Sequence, residues 1–555
     1  MKHSLALFSL LGIVTATPFA HSAEKKTPEQ YWAGTGISTS VVLNEMQMFQ
    51  PERCYQSLQS LRACVGALNA LALRTEPKSR LVPTAVAEDA SFKFGAPLKR
   101  YVGLSLVKLP VEEVAQETFR AAWAKEEAKR VAEDAGLKSL FDFRRNAAID
   151  FIGIAKDLLP QAVKTADVDA LAASQMVNAF VKEAVDAHAH IEATEELEAS
   201  TADADESFAG IGTILQSLAG KLILATVIEG SPAEKSGARP QDILKAIDGA
   251  SVEGKKSDEV VKLIRGPVGT RVKLQVLRDG KELSLDIVRD TIKQDNLEAK
   301  VVSDLGRKIG VIKLRSFMDK NACGKMGQKL LSLENTDKVE GIVLDLRGNG
   351  GGLLDQAVCM GGLFFGKKVV VKVRDLQGGT FKEMFGSLPA ATALPVVALI
   401  DAGSASASEV LSGALQDQQR AWVLGERSFG KGSVQAPGVF AKNEKIYLYR
   451  TVQRFYQPLG RTNQIVGIEP NFVRPIKPNA TEEERFALRE RDYFPNALDA
   501  ESQAWVETRK DKVAKVESCV ASGKLAEKKY AELTATRSNA DYQLLAAQEV
   551  LSCDK

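Results

Sequence analysis

The run Pro395-Val-Val-Ala-Leu-Ile400 passes directly into Asp401-Ala-Gly-Ser404-Ala-Ser406-Ala-Ser408-Glu409, and Val410-Leu-Ser-Gly-Ala-Leu415 leaves it in helical rhythm. A short apolar run closed by a turn signal reads as a buried strand, so the small hydroxyl residues fall at a strand-to-helix junction. A serine at such a junction is lifted clear of the sheet, and the N–H of the next residue points at any oxygen bound there. Downstream, Phe429-Gly-Lys431-Gly-Ser-Val-Gln435 sets a lysine between two glycines, where nothing bulky shields the amine. A serine nucleophile with a lysine base has this layout.

Outward from the junction the chain alternates. Gly310 to Leu314, Gly341 to Leu346, Val369 to Val373 and Val396 to Ile400 read as strands; Cys323 to Leu333 and Leu353 to Phe364 read as helices. Such alternation predicts an α/β core of stacked strand–helix–strand units over residues 293–480. Before it, residues 206–292 read as a second unit. Strands are expected over Phe208 to Leu215 and Leu222 to Ile228, a helix over Ser257 to Ile264, and a hairpin at Arg278-Asp-Gly-Lys281. Successive N–H groups in the Gly210-Ile211-Gly212-Thr213 loop converge on an anion, and a peptide's terminal carboxylate suits such a loop while its chain adds a strand to the sheet edge.

The ends are less specific. Met1-Lys2-His3 followed by an apolar run from Leu5 to Val14 reads as a signal peptide over residues 1–23, and the run is too short to span a bilayer. Residues 24–205 read as mainly helical, with Val111 to Gly136 and Ala147 to Ala189 as the periodic segments and Glu192 to Glu206 as an acidic linker. Residues 481–555 are helical by composition, as a packed flap, a partner-binding arm or a dimerisation element.

Composition excludes some classes. A net charge of +2, with 45% hydrophobic and 26% charged residues, gives no electrostatic case for nucleic acid. Six cysteines in an exported chain suggest disulfides. Sequence neighbours suggest Cys54–Cys64 and Cys519–Cys553, with Cys323–Cys359 left over; buried thiols at the last two remain the alternative. Beyond residue 23 only His188 and His190 are available as histidines, and no Cys-x-x-Cys occurs, so neither a metal nor another cofactor is expected.

The run Gly403 to Glu409, with Ala414-Leu-Gln-Asp417, Arg420-Ala421 and Phe429 to Gln435, resembles the signature of the carboxyl-terminal processing (tail-specific) proteases. Asp345-Leu-Arg-Gly-Asn-Gly-Gly-Gly352 and Arg454 to Gly460 with Gly467-Ile-Glu-Pro470 are similar to two further family segments, and residues 206–292 resemble a PDZ domain. The resemblance covers residues 206–475. It implies an α/β, ClpP/crotonase-like protease core with an inserted PDZ domain between helical N- and C-terminal regions. The Asp-Pro-His-Ser/Thr turn of the family stands here as Asp186-Ala-His188-Ala, without its proline and hydroxyl, so His188 reads as a turn residue.

Carried over, Ser406 is the nucleophile, Lys431 the base and Gln435 the residue that orients it. Ala407 and either Gly351 or Gly352 give the oxyanion N–H groups, and Gly210, Ile211, Gly212 and Thr213 the peptide-binding loop. The base must be neutral, so burial away from acids is required, and Asp417 or Glu426 at the amine would spoil it. Ser404 and Ser408 are rival nucleophiles, and a triad through His188 or His190 is the rival mechanism. The expected partners are proteins or peptides with apolar carboxyl termini, with an adaptor or homo-oligomer left open, in a periplasmic or secreted setting. A silent scaffold that binds carboxyl termini and a crotonase-like acyl-transforming enzyme are the other readings.

Overall fold

The computed structural model describes residues 28–48, 56–75, 79–83, 104–108 and 170–196, isolated positions at 54 and between 124 and 138, and 208–554 with short breaks. The expected signal peptide and most of the segments 111–136 and 147–169 lie outside the described residues.

The centre is a six-stranded sheet. Leu297–Val302 lies at one edge, antiparallel to Ile309–Leu314; then Gly341–Asp345, Val396–Ile400, Ala421–Gly425 and Phe472–Val473 follow in parallel. The three middle strands are buried at every position, as expected for parallel strands covered on both faces, which is why they read as unbroken apolar runs. One face carries the helices Ala322–Asn335, Leu354–Phe365 and Ala407–Asp417, whose Met326, Leu330, Phe364, Val410 and Leu411 pack with Ile342, Leu344 and Ala398. The other face carries Lys510–Gly523, Leu525–Thr534 and Tyr542–Cys553, with Leu545, Val550 and Leu551 against Val343, Val397 and Leu399. The C-terminal helices therefore complete the core, a choice the composition of that segment left open.

The crossover helices are joined by Cys323–Cys359, and the C-terminal pair by Cys519–Cys553; Cys54–Cys64 is the third disulfide. Cys54–Cys64 and Cys519–Cys553 are the pairings suggested by sequence proximity, and Cys323–Cys359 is the pair left over, bonded rather than two buried thiols.

A second sheet, ordered Gly378–Phe385, Val369–Asp375, Asn443–Tyr456, Ser433–Phe440, stands beside the first. Its long strand Asn443–Tyr456 also pairs with His190–Ala193, with Tyr449 opposite His190 and Ile446 opposite Ala193. The segment expected to be an acidic linker thus begins inside this second sheet. The region before it also contains an antiparallel strand pair, Ser79–Pro83 with Leu104–Lys108, besides the helices Thr39–Met48, Leu58–Thr75 and Ala170–Ala184.

Between these parts in the sequence, residues 213–288 form an antiparallel sheet in the order Lys281–Val288, Arg271–Arg278, Ile243–Ile247, Lys221–Val227, Thr213–Leu218, with the helix Ser257–Ile264. The apolar run expected as one strand from Phe208 is divided: Gly212 has φ +81°, and Phe208–Gly210 pairs separately with Asp290–Ile292. The two ends of this unit are thereby zipped to each other. Thr213–Leu218 is left as an edge strand.

Candidate active site

Three loops converge because they leave three adjacent parallel strands at their carboxyl ends. Asp345 leads to the turn at 346–352, Ile400 to the Ser406 junction and Gly425 to the lysine loop. Crevices for ligands in open α/β sheets form at this edge.

Ser406 has φ +56° and ψ −114° at the start of the helix Ala407–Asp417, a conformation that costs a non-glycine residue about 1–3 kcal/mol unless its surroundings hold it. Its backbone carbonyl accepts the Glu409 N–H at 2.9 Å. The neighbouring serines are committed elsewhere. The fully buried Ser404 hydroxyl donates to Leu346 O at 2.9 Å, and that of Ser408 to Asn349 O at 2.7 Å. Of the three serines only Ser406 lines the cavity described below.

The holder is Glu409, fully buried. Its Oε2 accepts the N–H groups of Ser406 (2.8 Å) and Lys431 (2.9 Å); its Oε1 accepts the N–H of Gly430 (2.8 Å) and the hydroxyl of Ser428 (2.5 Å). Burial pushes its carboxyl up to about 7, against the pull of these four donors. Sequence reasoning gives Glu409 no role of its own and so misses this one. The signal that could have found it was an acid in an otherwise small and apolar segment that is buried on all sides.

Asn349 is the second buried fastener. Its carbonyl accepts from Ala405 N and Ser408 Oγ, its Nδ2 donates to Leu314 O, and its Oδ1 accepts the Gly351 N–H at 2.9 Å. The turn presses on the serine so closely that a Cβ on Gly351 (φ +104°) would lie 2.8 Å from Ser406 Cβ and 3.0 Å from Ala407 N. With its N–H given to Asn349, Gly351 is not the donor facing the cavity. Gly350 and Gly352 line it instead, as does Ala407.

The cavity measures about 1060 Å³, and Ser406, Lys431 and Gln435 all line it. Met318, Leu353, Leu354, Val410, Val434 and Phe455 give it apolar walls. Burial pulls the Lys431 amine below the usual lysine range, while the charges of Glu490, Glu409 and Asp186 oppose that shift. The two acids feared from the sequence are occupied: Asp417 pairs with Arg461 at 2.9 Å and Glu426 with Arg485 at 3.2 Å. Gln435 donates Nε2 to Ser433 Oγ (2.9 Å) and Thr451 Oγ1 (3.1 Å).

His188, read as a turn residue, also lines the cavity. Its N–H donates to Asp186 Oδ1 at 2.9 Å, its Nε2 lies 2.7 Å from Glu490 Oε1, and its ring tilts against Phe494 at 4.6 Å. His190 stacks on Tyr449 and donates Nδ1–H to His188 O. The strand His190–Ala193 brings both to the site, a long-range pairing that no local pattern encodes.

In the unit that holds the edge strand Thr213–Leu218, the carbonyls of Ile211 and Gly212 accept the N–H groups of Ala233 and Ile228, both at 2.9 Å, and Thr213 opens that strand after Gly210. Among the described residues no helix is long and apolar enough to cross a membrane.

Comparison with known proteins places these parts. Residues 308–474 match peptidase family S41, and residues 223–278 match a PDZ domain. A probable CtpA-like serine protease of Staphylococcus haemolyticus is 36% identical over 299 residues, covering 53% of this chain and 58% of the relative. A carboxy-terminal-processing protease of Bartonella bacilliformis is 36% identical over 271 residues, covering 48% and 61%. The chain spans about three fifths of the length of these curated relatives. A solved photosystem II D1 C-terminal processing protease is similar at 24% identity over 66% of this chain and 94% of its own, with a TM-score of 0.44. The chain therefore carries a peptidase family S41 domain, with a PDZ domain ahead of it in the sequence.

Proposed function

We propose that this protein is an exported serine endopeptidase that cuts proteins selected by their apolar carboxyl tails. Ser406 attacks the scissile carbonyl, Lys431 takes its proton and Gln435 orients the lysine. The developing oxyanion is held by the Ala407 N–H together with an N–H of the glycine turn, at Gly350 or Gly352. The observation that carries the reading is the shared cavity. A strained serine and a lysine depressed by burial line one space, and the buried Glu409 holds both their backbones. Burial serves the base because an unperturbed lysine, with pKa about 10.4, is almost wholly protonated at neutral pH.

The PDZ unit takes the substrate's terminal carboxylate in the loop Gly210-Ile211-Gly212-Thr213, and the preceding residues extend along the edge strand Thr213–Leu218 beside the helix Ser257–Ile264. It tethers the substrate or relieves a block on the active site. The units run over residues 206–292 for the PDZ domain, 293–480 for the protease core and 481–555 for the C-terminal helices. Three disulfides favour an extracytoplasmic, periplasmic or secreted setting.

The test is digestion of fluorescein-labelled casein by the wild type, Ser406→Ala and Lys431→Ala. Cleavage by the wild type alone supports the dyad; equal inertness of all three supports a scaffold that only binds carboxyl termini. A second reading has its own observation: His188, which lines the same cavity, pairs with the buried Glu490. A histidine base predicts that His188→Ala abolishes turnover while Lys431→Ala spares most of it.

A further inference from the structure

The Gln435 side chain ends a hydrogen-bonded chain that begins in the N-terminal region. Asp186 sits in the turn between the helix Ala170–Ala184 and the strand His190–Ala193. Its Oδ2 accepts the N–H of Thr451 at 2.8 Å, and its Oδ1 accepts the Thr451 hydroxyl at 2.9 Å and the His188 N–H at 2.9 Å. Thr451 is buried, stands opposite Gln435 in the sheet register and accepts Gln435 Nε2 at 3.1 Å.

This chain has a direction. A carboxylate has no proton to give, so the single hydroxyl proton of Thr451 goes to Asp186. The Thr451 oxygen can then only accept, and it selects the NH₂ end of the Gln435 amide. Ser433 Oγ takes the other Nε2 proton. The Gln435 Oε1 takes no hydrogen bond among the described residues, and the side chain lines the cavity with Lys431. An amide oxygen facing the lysine accepts one of its N–H bonds; a flipped amide would point two donors at an amine that also donates.

We infer that Asp186, acting through the Thr451 hydroxyl, is a positioning residue that fixes which end of the Gln435 amide faces Lys431. The segment ahead of the PDZ unit is thereby part of the catalytic arrangement. The inference rests on the Ser406/Lys431 reading above. Asp186→Asn removes the directionality, because an amide at 186 offers Thr451 a donor as well as an acceptor. Thr451→Val removes the hydroxyl and leaves the Asp186 bond to the Thr451 N–H intact.

The experiment measures kcat and KM for an internally quenched peptide with an apolar carboxyl terminus, in the full chain, with thermal melts as a control. Asp186→Asn and Thr451→Val are each expected to lower kcat about tenfold with KM within about twofold, and Thr451→Ser to recover most of the loss. In a Gln435→Ala background, Asp186→Asn is expected to change kcat less than about twofold, since residues acting through one group are not additive. Where Asp186→Asn fails to fold, Thr451→Val carries the cycle alone. Multiplicative losses with Gln435→Ala, or unchanged kcat in both variants, overturn the inference and leave the dyad standing if Lys431→Ala is inert. Wild-type turnover by Lys431→Ala, or an inert wild type, overturns the dyad and the inference together.

Discussion

One oxygen of Glu409 accepts the backbone N–H of Ser406 at 2.8 Å and that of Lys431 at 2.9 Å, so a single buried carboxylate spaces the two residues of the proposed dyad. Glu409→Gln retains one accepting oxygen and turns an NH₂ group against donors that cannot move away. Each buried donor left without a partner costs about 1–3 kcal/mol. Turnover of casein is expected to fall at least about a hundredfold, with a lowered melting temperature.

The same residue sets a pH dependence of stability. With its carboxyl pushed up to about 7, the folded protein holds a proton that the unfolded chain releases from about pH 4.5 upward. That contribution is present below the ordinary glutamate range and is lost as pH rises through about 7, in total about 3 kcal/mol. Chemical denaturation at pH 5 and pH 8 should show the drop in wild type and a smaller drop in Glu409→Gln.

On the proposed dyad, Lys431 gives activity the opposite slope. Only the neutral amine accepts the serine proton, so turnover should rise with pH through one ionisation lying below the usual lysine range. Lys431→Arg, which stays charged, should be inactive at every pH. A basic limb that persists in Lys431→Ala would assign the ionisation to another group.

Arg347 ties the turn ahead of the glycines to the C-terminal helices. It donates to Asp345 at 2.8 Å and to Asp541, the residue capping Tyr542–Cys553, at 2.7 Å. This guanidinium, with Lys313, holds the buried Asp345 carboxyl well below its usual range. Arg347→Ala leaves the buried Asp345 with only the more distant Lys313 and should cost about 3–5 kcal/mol. Limited proteolysis should then release the segment after residue 510 before the core is cut.

Reduction of Cys323–Cys359 frees the helices Ala322–Asn335 and Leu354–Phe365, whose approaches at Met318 and Leu353 wall the cavity. Closing a loop of this length is worth roughly 3–4 kcal/mol in the chain-entropy account. Cys323→Ala/Cys359→Ala should show a lower melting temperature and a raised KM for casein.

The core strands and the serine junction were legible because fully buried parallel strands leave unbroken apolar runs, and the run ending at Ile400 stops at a turn of small residues. Glu409, Asn349 and Asp186 were not legible in their roles. Each acts through hydrogen bonds to residues brought near by the fold, and a sequence shows an acid or amide without showing whose N–H it will accept. His188 is the sharpest case. Its local turn reads as ordinary, and only the pairing of His190–Ala193 with Asn443–Tyr456 delivers it to the cavity. Gly351 illustrates the reverse: the motif suggested an oxyanion donor there, and the Asn349 side chain takes that N–H.

The antiparallel match of Phe208–Gly210 with Asp290–Ile292 brings entry and exit of the intervening unit to adjoining positions. A module whose ends meet can be excised and the gap bridged by a few residues, or exchanged for a foreign cassette, while the chain on either side keeps its path. On the proposed function, the part that would read the tail is open to recombination in the laboratory.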